Sequence, residues 1–167
     1  MSADLTQPER VAIARLQALL ELLPAALDKE LSPAGVTAFE FSLLDALAEA
    51  PDQRLRLSAL AAKTNATLPR LSRVMNSLER KGFATRMPCE ADGRATNAVL
   101  TAAGATLLQR ARPLHTAAVR NLVLGRLDAD GVQDLADLSL RILAALDPDA
   151  RLEVTSDGIV CAADPTD

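Results

Sequence analysis

Apolar residues recur at helical spacing through most of this chain, and start and stop residues sit between the periodic stretches in helix order. In "LTQPERVAIARLQALLELL", Val11, Leu16, Leu19, Leu20, Leu23 and Leu27 form the first stripe. Thr6 and Glu9 stand at capping-box spacing, and Pro8 falls in the first turn, where a missing N–H costs little. Pro24 is expected to kink or end this helix. "VTAFEFSLLDALAEAP" repeats the start signal with Thr37 and Glu40; Phe41, Leu44 and Leu47 make its stripe and Pro51 marks its end. "LRL", Leu55 to Leu57, predicts a very short strand, and "SALAAKT" a short helix from Ser58.

The stretch "NATLPRLSRVMNSLERKG" has two contrasting faces. Thr67 is the expected N-cap, with Pro69 inside the first turn and Gly82 as the stop. Leu71, Val74, Met75 and Leu78 share one face; Pro69, Arg73, Asn76 and Arg80 line the opposite one, flanked by Arg70, Ser72 and Ser77. "FATRM" and "ATNAVL" then read as two strands joined by "PCEADG", where Gly93 supplies a permissive turn backbone. Thr101 caps the next helix, "AAGATLLQRARPLHTAAVRNLVLGRL", whose Gly104 allows close packing against the preceding elements. A last helix spans 128–146, with Leu135, Leu138, Ile142 and Leu146 on one face. An acidic, proline-flanked tail follows, in which "LEVTSDGIVC" suggests a small hairpin. The order helix, short strand, helix, turn, helix, strand, turn, strand describes a winged helix-turn-helix, so the expected fold is mainly α with a small β wing.

Composition narrows the function. Apolar residues are 49% of the 167 and aromatics only 2%, which fits a folded, helix-rich chain. No apolar run is of membrane-spanning length, and the N-terminus lacks a basic region followed by an apolar one, so a cytoplasmic protein without membrane association is expected. Cys89 and Cys161 form no metal or disulfide pattern, and His115 is the lone histidine. With no nucleophile–base pairing and no glycine-rich phosphate loop, neither an enzyme, a cofactor nor a metal site is expected. The net charge is −4, yet Pro51 to Gly104 holds nine basic residues against four acids, a surplus of five that leaves −9 for the rest. A basic island in an acidic chain points to a local anionic partner. An arginine-bearing helix face suits the major groove of double-stranded DNA. Arg94 at the wing tip suits the narrow minor groove, with Asp92 pairing with it or capping the turn.

These residues resemble a known family. Asp92-x-Arg94, Leu100-Thr101 and Gly104 are similar to the wing and wing exit of MarR-family transcriptional regulators. "LSALAAKTNATLPRLSRVMNSLERKGFATR" resembles the family's core, with Leu78-Glu79, Gly82 and Arg86 at its marked places, and "GVTAFEFSLLDAL" resembles its second helix. The likeness covers roughly residues 5 to 147. It implies a homodimer that reads a palindromic operator through a recognition helix at 66–81. Thr67, Arg70, Ser72 and Arg73 would face DNA and Arg94 would enter the minor groove; Asn76, Arg86 and Asp92 complete the candidate DNA-binding set. It further implies a repressor released by a small anionic aromatic effector. Departures are Leu68 and Pro69 where polar residues are more usual, Ala84 in place of a branched residue, no cysteine in the first helix and no tryptophan. The expected division is a dimerisation helix at 1–34, the DNA-binding module at 35–100, dimerisation helices at 101–147 and an acidic tail at 148–167. The alternatives are a winged-helix protein that works through protein partners and a DNA-binding factor without an effector.

Overall fold

The computed structural model describes residues 4–89 and 92–155, with only the backbone of residues 92–94. Six helices and three strands follow one another as α1 (Gln7–Leu31), α2 (Ala38–Glu49), β1 (Arg54–Arg56), α3 (Leu57–Lys63), α4 (Leu68–Arg80), β2 (Ala84–Cys89), β3 (Asp92–Leu100), α5 (Ala102–Leu122) and α6 (Ala129–Leu146). The fold is mainly α with a small antiparallel sheet, in the order β1-β3-β2.

Local chemistry accounts for most element ends. The Thr6 N–H and hydroxyl both donate to Glu9 Oε2, at 2.6 and 2.7 Å, and start α1. The Thr37 N–H donates to Glu40 Oε2 at 3.0 Å and Thr37 Oγ1 accepts from the Glu40 N–H at 3.1 Å, starting α2. Thr67 and Thr101 accept from the N–H groups of Arg70 and Gly104 to start α4 and α5. Asn65, at φ 53°, makes the sharp turn between α3 and α4, a left-handed conformation that asparagine tolerates better than most residues. Gly82 ends α4 at φ 74°.

Three expectations are corrected. Pro24 does not end α1, which runs to Leu31. Pro24 lies on an exposed face, and the carbonyl of Leu20 that it leaves without a helical partner can turn to water. The strands reach further than "FATRM" and "ATNAVL": β2 runs to Cys89 and β3 starts at Asp92, so Pro88, Cys89, Asp92 and Gly93 belong to strands rather than to a six-residue connection, and Arg94 lies within β3. Pairing jumps there from Pro88–Thr96 to Cys89–Asp92, an irregularity that bends the wing's end. Finally, α5 ends at Leu122 and a short 3-10 turn covers Leu124–Arg126, because the helix stripe gives way to Gly125. The connection at Glu90, Cys161 and most of the suggested "LEVTSDGIVC" hairpin lie outside the described residues.

One core unites the middle of the chain. Phe41, Leu44 and Leu47 of α2 meet Leu60 of α3, Leu71, Met75 and Leu78 of α4, Ala98 and Leu100 of β3, and Leu108 and Ala111 of α5. Gly104 is required by this packing: a Cβ there would stand 2.1 Å from the Phe83 carbonyl oxygen. Outside the core, α6 has no fully buried residue, and Ile13, Leu19, Leu20 and Leu22 of α1 are exposed.

Candidate nucleic-acid interface

The amphipathic pattern of α4 sets its orientation. Leu71, Met75 and Leu78 are fully buried, and this turns Pro69, Arg70, Ser72, Arg73, Asn76 and Arg80 to the surface. Thr67 is exposed at the helix start, where its hydroxyl is used as the cap. Arg73 and Arg80 have no hydrogen-bond or ion-pair partner among the described residues, so their charges face solvent. Arg70 has a partner: its guanidinium lies over the Phe39 ring of α2, 4.0 Å from the centroid.

Three of the sequence-derived residues meet at one point. The Arg86 guanidinium of β2 reaches across to α4 and donates to Asn76 Oδ1 at 2.8 Å, to the Ser72 carbonyl at 2.9 Å and to Ser72 Oγ at 3.3 Å. It also donates to Glu79 Oε2. The Arg86 backbone N–H donates to Glu79 Oε1 at 2.8 Å. The wing is therefore fastened to the exposed face of α4 by a planar, multi-donor fork. Asp92 and Arg94 stand at the start of β3, the far end of this wing; their side chains lie outside the described residues.

A second network sets the other end of α4 and was not read from the sequence. Glu40 is buried, 4% exposed, although it begins as a capping-box residue. Its carboxylate accepts from Lys81 Nζ at 2.7 Å and from Ser77 Oγ at 2.9 Å, while Lys81 also donates to the Gly35 carbonyl at 3.1 Å. Burial acts to raise the Glu40 pKa, but the bonds from Lys81, the Thr37 N–H and Ser77 outweigh it and hold the carboxyl below its ordinary value. The start of α2 and the end of α4 are thereby tied, across 41 positions of sequence. No local motif could have announced this pair.

Behind α4 lies a cavity of about 470 Å³, lined by Leu23 and Leu27 of α1, Phe39 of α2, Arg70 and Val74 of α4 and His115 of α5. His115 stacks on Phe41 at 4.2 Å. Burial pushes its imidazole below the ordinary value, and Asp45 opposes that shift more weakly. Asp45 is itself bonded to Arg112, at 2.8 Å. Among the described residues no group of His, Cys, Asp and Glu could hold a metal ion, and no helix is long and apolar enough to cross a membrane.

The model of the MarR family matches residues 34–95. The chain is similar to Sco3205, a MarR family transcriptional regulator from Streptomyces coelicolor solved in complex with DNA. Identity is 33% and the TM-score 0.84, over 89% of this chain and 97% of that one. It is similar to AbsC, a MarR family transcriptional regulator from the same organism, at 30% identity and TM-score 0.82, over 88% and 99% of the two chains. A mutant of MarR from E. coli complexed with operator DNA matches at 25% identity and TM-score 0.71, over 84% and 99%.

Proposed function

The chain belongs to the MarR family of transcriptional regulators, and from that premise we propose that it binds a palindromic DNA operator as a homodimer and acts as a repressor. The observation that carries the reading is the exposed face of α4, where Arg73 and Arg80 are unpaired among the described residues beside a wing fastened by Arg86. In this reading α4 enters the major groove, with Thr67, Arg70, Ser72, Arg73 and Asn76 toward the DNA. The wing lies along the backbone and Arg94 reaches the minor groove, directed by Asp92. The module is 35–100; residues 1–34 and 101–147 form the dimer. Relatives solved in complex with DNA support the nucleic-acid partner.

A small anionic aromatic ligand suits the cavity behind α4. Arg70 offers it a cation, while Phe39 and His115 offer flat ring faces. A bound anion would draw the Arg70 guanidinium inward, away from DNA, which accounts for release. The test is fluorescence anisotropy with the duplex that flanks the protein's own coding region, with and without salicylate as probe. Tight, sequence-dependent binding that salicylate weakens is expected. Equal affinity for operator and scrambled duplex would remove the regulator reading.

A further inference from the structure

Residues 147–155, which follow α6, fold back onto the molecule. Asp147 turns them back: Asp147 Oδ1 accepts from the Arg151 N–H at 3.1 Å, and Oδ2 accepts from the Leu152 N–H at 2.9 Å and from the Thr155 hydroxyl. Leu152, Val154 and Thr155 are half-buried as a result. Glu153 is carried onto the helix-turn-helix, where its Oε2 lies 3.3 Å from Lys63 Nζ at the end of α3. Glu49 of α2 approaches the same ammonium at 3.4 Å. Burial acts to lower the Lys63 pKa; the contacts with Glu153 and then Glu49 outweigh it and raise it. Glu153 thus lines one side of a cavity of about 340 Å³ whose walls include Phe41, Asp45, Glu49, Lys63 and His115.

The Glu153 side chain is 54% exposed, and two features bear on what its contact does. Lys63 and Glu153 are 90 positions apart, and the intervening α6 has no fully buried residue. The end of α6 is therefore joined to the DNA-reading module by this segment rather than by a shared core. Lys63 is also only 27% exposed, so its charge is held by two carboxylates and not by water alone.

We propose that residues 147–155 are a strap, anchored by Glu153 on Lys63, that fastens the end of α6 to the helix-turn-helix and so fixes α6, the one dimer helix that has no part in the module's core, against the module. The effect on DNA rests on the regulator reading above. A module already fixed loses less freedom when two half-sites are engaged at once, so the strap strengthens operator binding.

The test compares full-length Glu153→Ala with full-length Asp149→Ala, which removes the same charge from the same segment but only a contact to Arg151. Hydrogen exchange by mass spectrometry is read on α3 and on residues 147–155. Glu153→Ala should raise exchange in both by about two- to fivefold, the range of a partly exposed ion pair, and Asp149→Ala should leave α3 unchanged. Lys63→Glu should lose the same protection, and Lys63→Glu with Glu153→Lys should regain part of it. Operator affinity should fall about two- to fivefold in Glu153→Ala relative to Asp149→Ala. Equal exchange in α3 for the two alanine variants overturns the docking. Release of the segment with unchanged operator affinity overturns the coupling. A parent chain that binds no duplex sinks the regulator reading on its own, and the exchange comparison still decides whether the strap docks.

Discussion

Residues on the exposed face of α4 differ in what they are tied to, and this separates their expected phenotypes. Arg73 has no partner among the described residues, so Arg73→Ala should leave thermal stability unchanged and weaken operator binding by about 1–3 kcal/mol if it makes a groove contact. Anisotropy and a melting curve on the same preparation check both halves; unaltered binding would reduce Arg73 to a solvated charge. Arg94→Ala is expected to behave likewise. Arg86 is different, because its side chain is 23% exposed and spends its donors on Ser72, Asn76 and Glu79. Arg86→Lys should lower stability by about 1–3 kcal/mol as well as weaken binding, since an ammonium cannot reproduce a planar fork and charged hydrogen bonds are lost. A lysine variant as stable as the parent would mean that the wing is held by packing alone. Glu40 gives a pH signature. Its folded pKa is lowered, so the unfolded chain takes up the proton more readily. The stabilisation is complete above the ordinary carboxylate value of 4.5 and is lost as the pH falls through the lower folded value. Stability measured by urea unfolding from about pH 6 down to pH 3 should therefore drop less steeply in Glu40→Gln than in the parent. Parallel slopes would show that other carboxylates dominate the acid limb. His115 adds to that limb from the neutral side: its pKa is lowered, so protonation below the ordinary histidine value of 6.5 favours the unfolded chain.

Elements were legible where their causes are local. Thr37, Thr67 and Thr101 begin helices because a hydroxyl can reach an N–H three residues on, and Thr6 because the Glu9 carboxylate reaches back to it; sequence spacing carries that information whole. The buried face of α4 followed from the spacing of Leu71, Met75 and Leu78 for the same reason. What escaped was set by partners far away in sequence. Pro24 looked like a kink or a stop, and it is no stop: a proline on an exposed helix face is tolerated when the residues after it, ending in buried Leu31, are held by the core. The strand ends near Cys89 and Asp92 depend on a register jump that no alternation pattern encodes. The Arg86 fork, the Glu40–Lys81 pair and the Arg70–Phe39 contact all join separate elements, so the sequence offered their charges but not their pairing. Gly104 lay between the two cases. Its presence early in a helix signalled close approach, and the partner turned out to be the Phe83 carbonyl and the Leu100 side chain. Gly104→Ala should therefore destabilise the chain by about 1–3 kcal/mol despite alanine's better helix propensity, because the obstruction is backbone and cannot rotate away. A melting temperature at or above the parent's would mean that the wing exit can shift to admit a methyl group.

At the scale of the whole molecule the apolar surface is distributed in a way that one chain does not satisfy. In α6, Leu135, Leu138 and Ile142 are 42%, 57% and 48% exposed, and in α1, Leu20 is 69% exposed; Leu16 and Leu23 are already half-buried within the chain. A compact monomer rarely leaves such rows uncovered on two helices at once. Under the proposed homodimer they bury against a second copy related by a two-fold axis, and the two α4 helices are then presented about one DNA turn apart, roughly 34–36 Å, to half-sites about 10 bp apart. The basic surplus of the middle segment within a chain of net charge −4 would then be doubled on one side of the dimer. Binding should accordingly weaken steeply with salt, log affinity falling in proportion to log salt concentration as phosphates are neutralised. The decisive variants are Leu20→Glu and Leu138→Glu. In an isolated chain both side chains already face water, so the substitutions should cost little there. In a dimer each places a carboxylate in an apolar interface in two copies. Sedimentation should therefore show dissociation to a folded monomer, and footprinting should show loss of the two-half-site pattern at the same protein concentration. Helical circular dichroism retained by that monomer would confirm that the change is in assembly and not in folding. A variant that stays dimeric and still protects both half-sites would place the dimer contact elsewhere than on α1 and α6.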